Sequence, residues 1–115
     1  MTTSDVIAQT SLLCTSPSGK QVPLVIEIGK PRSIRGCAAC TVEIQGPYRE
    51  MTDIHGVDTF QALALASSFV RLSLESLVRQ GYRVTMKPDD THDFDFEDAW
   101  FLATTTRADA RLTVS

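Results

Sequence analysis

Apolar and β-branched residues are concentrated in three stretches in the first half of the chain, a composition typical of β-strands, and alternation with polar residues is partial in the first stretch and clear in the third. The stretches are 6–14, 22–28 and 39–45, and each ends near glycine or proline residues that favour turns. A fourth stretch, 49–56, is either a strand or a linking turn, and 82–87 alternates again. The pattern predicts an antiparallel sheet of four or five strands.

The longest periodic segment, residues 58–80, predicts one long helix. Asp58 is a favourable N-cap, Gln61 completes a capping box, and Gly81 is a favourable C-terminal cap. Strands and helix together predict an α+β domain in which the helix packs on one face of the sheet.

The apolar residues of this helix fall on two stripes when successive residues are placed about 100° apart. The first stripe comprises Phe60, Leu63, Val70, Leu74, Leu77 and Val78, and the second comprises Ala62, Leu65, Phe69 and Leu72. One sheet covers one stripe, so the second must contact another segment of the chain, a partner protein or a second copy of the chain in a homodimer.

The chain has 115 residues, of which 11 are basic and 14 acidic, giving a net charge of -3. This length suits one domain, 1–103, followed by a small polar tail, 104–115, that we expect to fray. The acidic balance disfavours nucleic acid and anionic membranes as partners, and we expect no cofactor. No signal peptide or membrane span is visible, and an odd count of 3 cysteines favours a reducing cytoplasm.

Acidic residues are concentrated at the end of the chain: residues 1–88 hold nine basic and seven acidic side chains, whereas 89–115 hold two and seven. Within the acidic segment 89–103, rings alternate with carboxylates, a pattern found in solvated loops and in surfaces that bind basic proteins. Alternatively the segment folds back and covers the second helix stripe with Phe94, Phe96, Trp100, Phe101 and Leu102. The predicted partner-binding residues are Asp93, Phe94, Asp95, Phe96, Glu97, Asp98 and Trp100 from this segment, with Leu65, Phe69 and Leu72 from the helix.

Two smaller motifs carry candidate chemistry. Cys37 and Cys40 have the spacing of half a zinc site and Cys14 is a third candidate ligand, but no second Cys-x-x-Cys or His-x-x-x-His pair accompanies them. Packed thiols are therefore the first interpretation, and a small zinc-binding module is the alternative function. Asp53 and His55 could form a base with an orienting carboxylate, but no nucleophile lies beside them in the sequence, and we expect no enzymatic activity.

Three segments resemble a small bacterial family of uncharacterised single-domain proteins: 28–32 (IGKPR), 40–46 (CTVEIQG) and 56–66 (GVDTFQALALA). The resemblance covers roughly residues 5–80 and implies no catalytic residue. By analogy with proteins encoded beside secreted toxins, it suggests an immunity or toxin-inhibitor role. The hypothesis from the sequence is thus a protein-recognition module that docks its acidic segment on a basic partner surface.

Overall fold

The computed structural model describes residues 5–88 and 92–101, so the predicted tail at 104–115 lies outside the described residues. Six strands form one antiparallel sheet: β1 (Val6–Thr15), β2 (Gln21–Gly29), β3 (Arg32–Ile34), β4 (Cys37–Gln45), β5 (Arg49–Gly56) and β6 (Arg83–Thr85). The described helices are α1 (Thr59–Arg79) and α2 (Phe96–Phe101). The predicted α+β class and the long helix are confirmed, and residues 49–56 form a strand. Neither described helix is both long and apolar enough to cross a membrane.

The strands form a meander around β4, and the last strand joins the far side of the sheet. β2 and β3 lie end to end along one side of β4, and β5 pairs along the other side. β1 pairs with both β2 and β6, so the order across the sheet is β6, β1, β2 with β3, β4, β5. A break at Lys30 and Pro31 divides one long strand into β2 and β3, which is why the sheet has six strands rather than the four or five predicted.

Local signals place both ends of α1. Asp58 is the N-cap, and its side chain accepts a hydrogen bond from the backbone N–H of Gln61 at 2.8 Å. The Gln61 side chain in turn accepts from the N–H of Val57 at 2.6 Å, one residue before the position that a capping box predicts. Gly81 follows the C-cap residue Gln80 with φ of +95°, a conformation that favours glycine.

The face of α1 that packs on the sheet lies between the two predicted stripes. Ala62 and Ala66 lie on this face, and Gly56 of β5 approaches so closely that a Cβ there would lie 2.6 Å from the backbone nitrogen of Ala62. The buried residues of α1 are Ala62, Ala66, Val70, Leu74 and Leu77. Phe60, Leu63 and Val78 of the first stripe are exposed, Phe60 to 82%. The division into two stripes is therefore corrected. The buried sector combines Ala62 of the second stripe with Val70, Leu74 and Leu77 of the first, adds Ala66, and leaves the other apolar residues of both stripes at its edges.

The core lies between the helices and one face of the sheet. Alternate residues of each strand point into it, for example Leu24 and Ile26 from β2 and Cys40 and Val42 from β4. Residues between them lie on the opposite, open face, which carries polar and charged side chains of β3, β4 and β5. The fold therefore offers two surfaces for function: the open face of the sheet and the outer sides of α1.

Candidate functional site

The acidic aromatic segment packs on the core of its own chain. Phe96 is only 7% exposed, and Phe94 and Phe101 are half-buried against the same core. Trp100 contacts both of these neighbours edge to face, with ring centroids 5.0 Å from Phe94 and 6.3 Å from Phe101. The expectation that Phe96 anchors a partner is corrected, because its ring belongs to the core; Leu102 lies outside the described residues.

Two carboxylates that the sequence assigns to a partner are held by arginines of the same chain. Glu97 forms an ion pair with Arg71 of α1, with 2.6 Å between Oε2 and Nη2, and this hydrogen bonding lowers the pKa of Glu97. Asp93 forms an ion pair with Arg83 of β6, with 2.8 Å between Oδ1 and Nε. Sequence reasoning missed both contacts, because only the fold brings these arginines to the acidic segment. They attach the segment to α1 and β6.

The α2 helix lies on one side of α1, and the other side of α1 is exposed. Arg71 marks the covered side, since its guanidinium lies 5.7 Å from the centroid of the Phe101 ring. On the opposite side Leu65 is 42% and Leu72 is 60% exposed, and Phe69 is half-buried at their base. We call Leu65, Phe69 and Leu72 the α1 flank. The described rings of the acidic segment lie on the Arg71 side, so they leave Leu65 and Leu72 exposed.

A hydrogen-bonded cluster joins three strands on the open face of the sheet. Arg32 of β3 donates to the hydroxyl of Thr41 on β4 at 3.1 Å and to the carboxylate of Asp53 on β5 at 2.9 Å. The Thr41 hydroxyl donates to the same carboxylate at 2.6 Å. The cluster lies in an open cavity of about 770 Å³, which Lys30 and Asp5 also line. Residues 32, 41 and 53 thus meet only through the strand register.

The chemistry of this cluster suits cross-linking of strands better than proton transfer. The hydrogen bond from Thr41, with the charge of Arg32, lowers the pKa of Asp53, and a carboxylate of low pKa is a weak general base at neutral pH. Both oxygens of Asp53 accept hydrogen bonds from Arg32 or Thr41. The sequence motif instead suggested that Asp53 orients the imidazole of His55. The cluster therefore lacks the arrangement of an orienting carboxylate on a catalytic imidazole.

Glu43 is a buried charge on the open face of the sheet that sequence reasoning did not single out. It is 3% exposed, and its Oε2 accepts from Nε and Nη2 of Arg49 at 2.9 and 2.6 Å. These hydrogen bonds lower the pKa of Glu43. Strand alternation correctly predicts the face on which Glu43 lies, but alternation contains no signal that the residue is buried.

The three cysteines do not converge on a metal site. Cys37 and Cys40 are three residues apart on β4, so they lie on opposite faces of the strand. Cys14 and Cys40 are buried, and burial raises the pKa of both thiols. The Cys40 thiol donates to the backbone carbonyl of Gly29 at 3.3 Å. Within residues 5–88 and 92–101 no three potential ligands lie close enough to hold a metal ion, and Cys14 and Cys40 lie among the apolar side chains of the core. The zinc-binding alternative stays a prediction.

These features define a small α+β domain with one open sheet face and a partly exposed helix. The chain belongs to the family described as Domain of unknown function (DUF6968), whose model matches residues 11–96. The match confirms the resemblance to an uncharacterised domain family, and it extends from β1 to the first residue of α2. Curated proteins and solved structures gave no match.

Proposed function

We propose that this protein is a protein-recognition module whose principal contact surface is the α1 flank. The observation that carries the proposal is the exposure of Leu65 (42%) and Leu72 (60%) on the side of α1 away from α2. Apolar residues grouped in this way are typical of contact surfaces. Burying each leucine under a partner contributes about 1 kcal/mol to the free energy of binding, because roughly half of each side chain is already shielded from water.

The acidic aromatic segment supplies a second, smaller surface in this proposal. Trp100 is 36% exposed, and Asp95, five residues earlier in the same segment, is also exposed. Because Phe96 is packed in the core, the segment that carries Trp100 is already ordered, and less conformational entropy is lost when a partner binds. Negative charge around an exposed ring favours a basic partner, and an immunity-type inhibitor of a basic toxin is one protein of this kind.

The proposal assigns no catalytic step and no cofactor to the protein. Its support is the weak basicity of Asp53 and the use of Thr41 and Arg32 in linking strands. We also propose a cytoplasmic location, for which the support is that Cys14, Cys37 and Cys40 are all free thiols.

Photo-cross-linking in the native cell tests the α1 flank. Full-length chain carries a photoreactive phenylalanine analogue at position 65, 72 or 60 in separate variants, and cross-linked products are identified by mass spectrometry. We expect positions 65 and 72 to give the same protein product. Position 60 is the matched control, because Phe60 is more exposed (82%) but lies on another side of the same helix.

Binding measurements with charge variants then test whether the cross-linked protein binds through the α1 flank. We expect Leu65→Glu with Leu72→Glu to weaken capture of the cross-linked protein at least tenfold, whereas Phe60→Glu leaves it unchanged. Equal yields from positions 60 and 65, or no product from positions 65 and 72, would contradict the proposal. For the second surface, Asp95→Asn removes charge with little change in shape; binding that this variant leaves unchanged would remove the acidic segment from the interface.

A further inference from the structure

Four exposed positions of α1 and its N-cap repeat every seven residues: Asp58, Leu65, Leu72 and Arg79. Seven residues make about two helical turns, so these side chains form one stripe along the helix. We call these four residues the α1 seam. It passes through the α1 flank, begins with an acid at the N-terminus, continues through two leucines and ends with a base in the last turn.

Two α1 seams that run in opposite directions match each other: apolar residues face apolar residues, and the acid of each faces the base of the other. In an antiparallel pair of seams related by a two-fold axis, Leu65 lies opposite the partner's Leu72, and Asp58 lies opposite the partner's Arg79. Each contact occurs twice, as an isologous interface requires. Antiparallel helices also place opposite ends of the two helix dipoles side by side. A parallel pair would instead place Asp58 opposite Asp58 and Arg79 opposite Arg79.

From this order we infer that the occupant of the α1 flank is a second copy of this chain, bound through antiparallel pairing of two α1 seams. The inference rests on the proposed function, in which the flank is a contact surface, and it names the partner. The charges carry the choice of occupant, since an acid and a base at equal distances from the centre of the leucine pair match a second seam at both ends.

The size of the contact sets the expected affinity. The seam extends over 21 residues of helix, or about 30 Å at 1.5 Å per residue. Because the contact is confined to one helix of each chain and has two leucines at its centre, we expect it to be smaller than the roughly 800 Å² per partner of a standard stable interface. The dimer is therefore expected to dissociate in the micromolar range of protein concentration.

Sedimentation equilibrium of the full-length protein tests the dimer. We expect a monomer–dimer equilibrium whose dissociation constant rises at least 100-fold in Leu65→Glu and in Leu72→Glu. Phe60→Glu is the control, because it adds the same charge at a more exposed position off the seam. A wild-type protein that stays monomeric up to millimolar concentration overturns the inference, and so does equal weakening by all three variants.

Disulfide trapping tests the register. In a Cys37→Ser background, Leu65→Cys protein is mixed with Leu72→Cys protein and oxidised; we expect a covalent heterodimer joined through positions 65 and 72. Each variant alone is expected to cross-link at least tenfold less, because its two thiols lie seven residues apart along the paired helices. Efficient cross-linking of Leu65→Cys alone would indicate a parallel pair and overturn the inference.

The two proposals fail in different ways. If the wild-type protein is monomeric but positions 65 and 72 photo-cross-link to another protein, the inference fails and the recognition function stands. If neither position cross-links to any protein and the chain is monomeric, both fail.

Discussion

Arg71 holds Glu97 through two contacts, 3.1 Å from Nε to Oε1 and 2.6 Å from Nη2 to Oε2. The same guanidinium reaches Glu75 one turn along α1 at 3.3 Å and lies over the ring of Phe101. Arg71 thus joins α2 to α1 through a charge-assisted contact with Glu97 and a contact with the ring of Phe101, and the buried ring of Phe96 anchors α2 in the core.

Trp100 fluorescence is expected to report the Arg71–Glu97 contact as a function of pH, since it is the one tryptophan in the sequence. Arg71 lowers the pKa of folded Glu97, so the contact stabilises α2 above the usual pKa of glutamate and is lost as pH falls through the lower folded value. We expect wild-type protein to show an acid transition below the ordinary glutamate range. Glu97→Gln should lack it and should have the acid-form emission at neutral pH.

Glu75→Gln is the matched control for that titration, because Glu75 pairs with the same arginine but lies on α1 itself. It should keep an acid transition, moved toward the ordinary glutamate range, because Glu75 also lowers the pKa of Glu97 through a side-chain hydrogen bond. An identical transition in wild-type and Glu97→Gln protein would show that another group controls the position of α2.

Leu74 and Leu72 form a matched pair for a stability measurement. Leu74 is 1% exposed and Leu72 is 60% exposed, although they are two residues apart on the same helix. Leu74→Ala is expected to lower the free energy of unfolding by about 2–5 kcal/mol, because it leaves a cavity in the core. Leu72→Ala should change it by less than about 0.5 kcal/mol in the monomer. Urea denaturation at low protein concentration checks both values, and similar losses would contradict the burial of α1.

The periodicity of α1 predicts the helix, and strand alternation predicts its sheet, but neither predicts which sector of α1 faces that sheet. Asp58 and Gly81 mark the ends of the helix because capping is local chemistry. The buried sector depends instead on how closely Gly56 lets β5 approach Ala62. That distance is a property of the packed structure, so counting apolar residues alone divided the helix at the wrong place.

Gly56→Ala is expected to destabilise the fold through this close approach. The added Cβ would lie 2.6 Å from the nitrogen of Ala62, and the three nearest atoms all belong to the backbone of Gln61 and Ala62, which leaves little room to relax. We expect a loss of about 1–3 kcal/mol in the free energy of unfolding, measured in urea. Gly46→Ala should cost less, because the atom nearest its new Cβ is a terminal methyl of the Leu24 side chain. A larger loss at position 46 than at position 56 would contradict this account.

Arg49→Ala is expected to destabilise the protein at neutral pH more than in acid. Hydrogen bonds from Arg49 lower the pKa of Glu43, so the pair stabilises the fold above the usual glutamate pKa and ceases to do so as pH falls through the folded value. The difference in unfolding free energy between wild type and variant should therefore be largest near neutral pH and should shrink as pH falls below the ordinary glutamate range. Lys20→Ala, at an exposed turn, should give no such pH dependence. A difference that is constant with pH would contradict the role of Glu43.

The three thiols are expected to differ in reactivity. Cys14 and Cys40 are buried and have raised pKa values, whereas Cys37 is partly exposed. A thiol-specific reagent at neutral pH should modify one cysteine in folded protein and all three after unfolding. Mass spectrometry should locate the first modification at Cys37, and rapid modification of Cys40 in folded protein would contradict its burial.

The candidate surfaces were predictable from the sequence to different extents. The sequence identifies Leu65 and Leu72 as candidates because the helix contains more bulky apolar residues than one face packed on a sheet can bury. The partners of Asp93 and Glu97 were not, because Arg83 and Arg71 meet them only after β6 and α1 are in place. The same limit applies to the cluster of Arg32, Thr41 and Asp53, whose members are brought together by strand register.

The pairing of Leu13 with Thr85 has a consequence for synthesis of the chain. β1 is made first, yet the strand that completes its outer side follows α1. On the ribosome, the backbone groups of Leu13, Cys14 and Thr15 that face β6 therefore stay exposed to water until β6 emerges. A nascent chain that pauses within α1 exposes this short strand edge for longer, and an exposed edge can pair with neighbouring polypeptides.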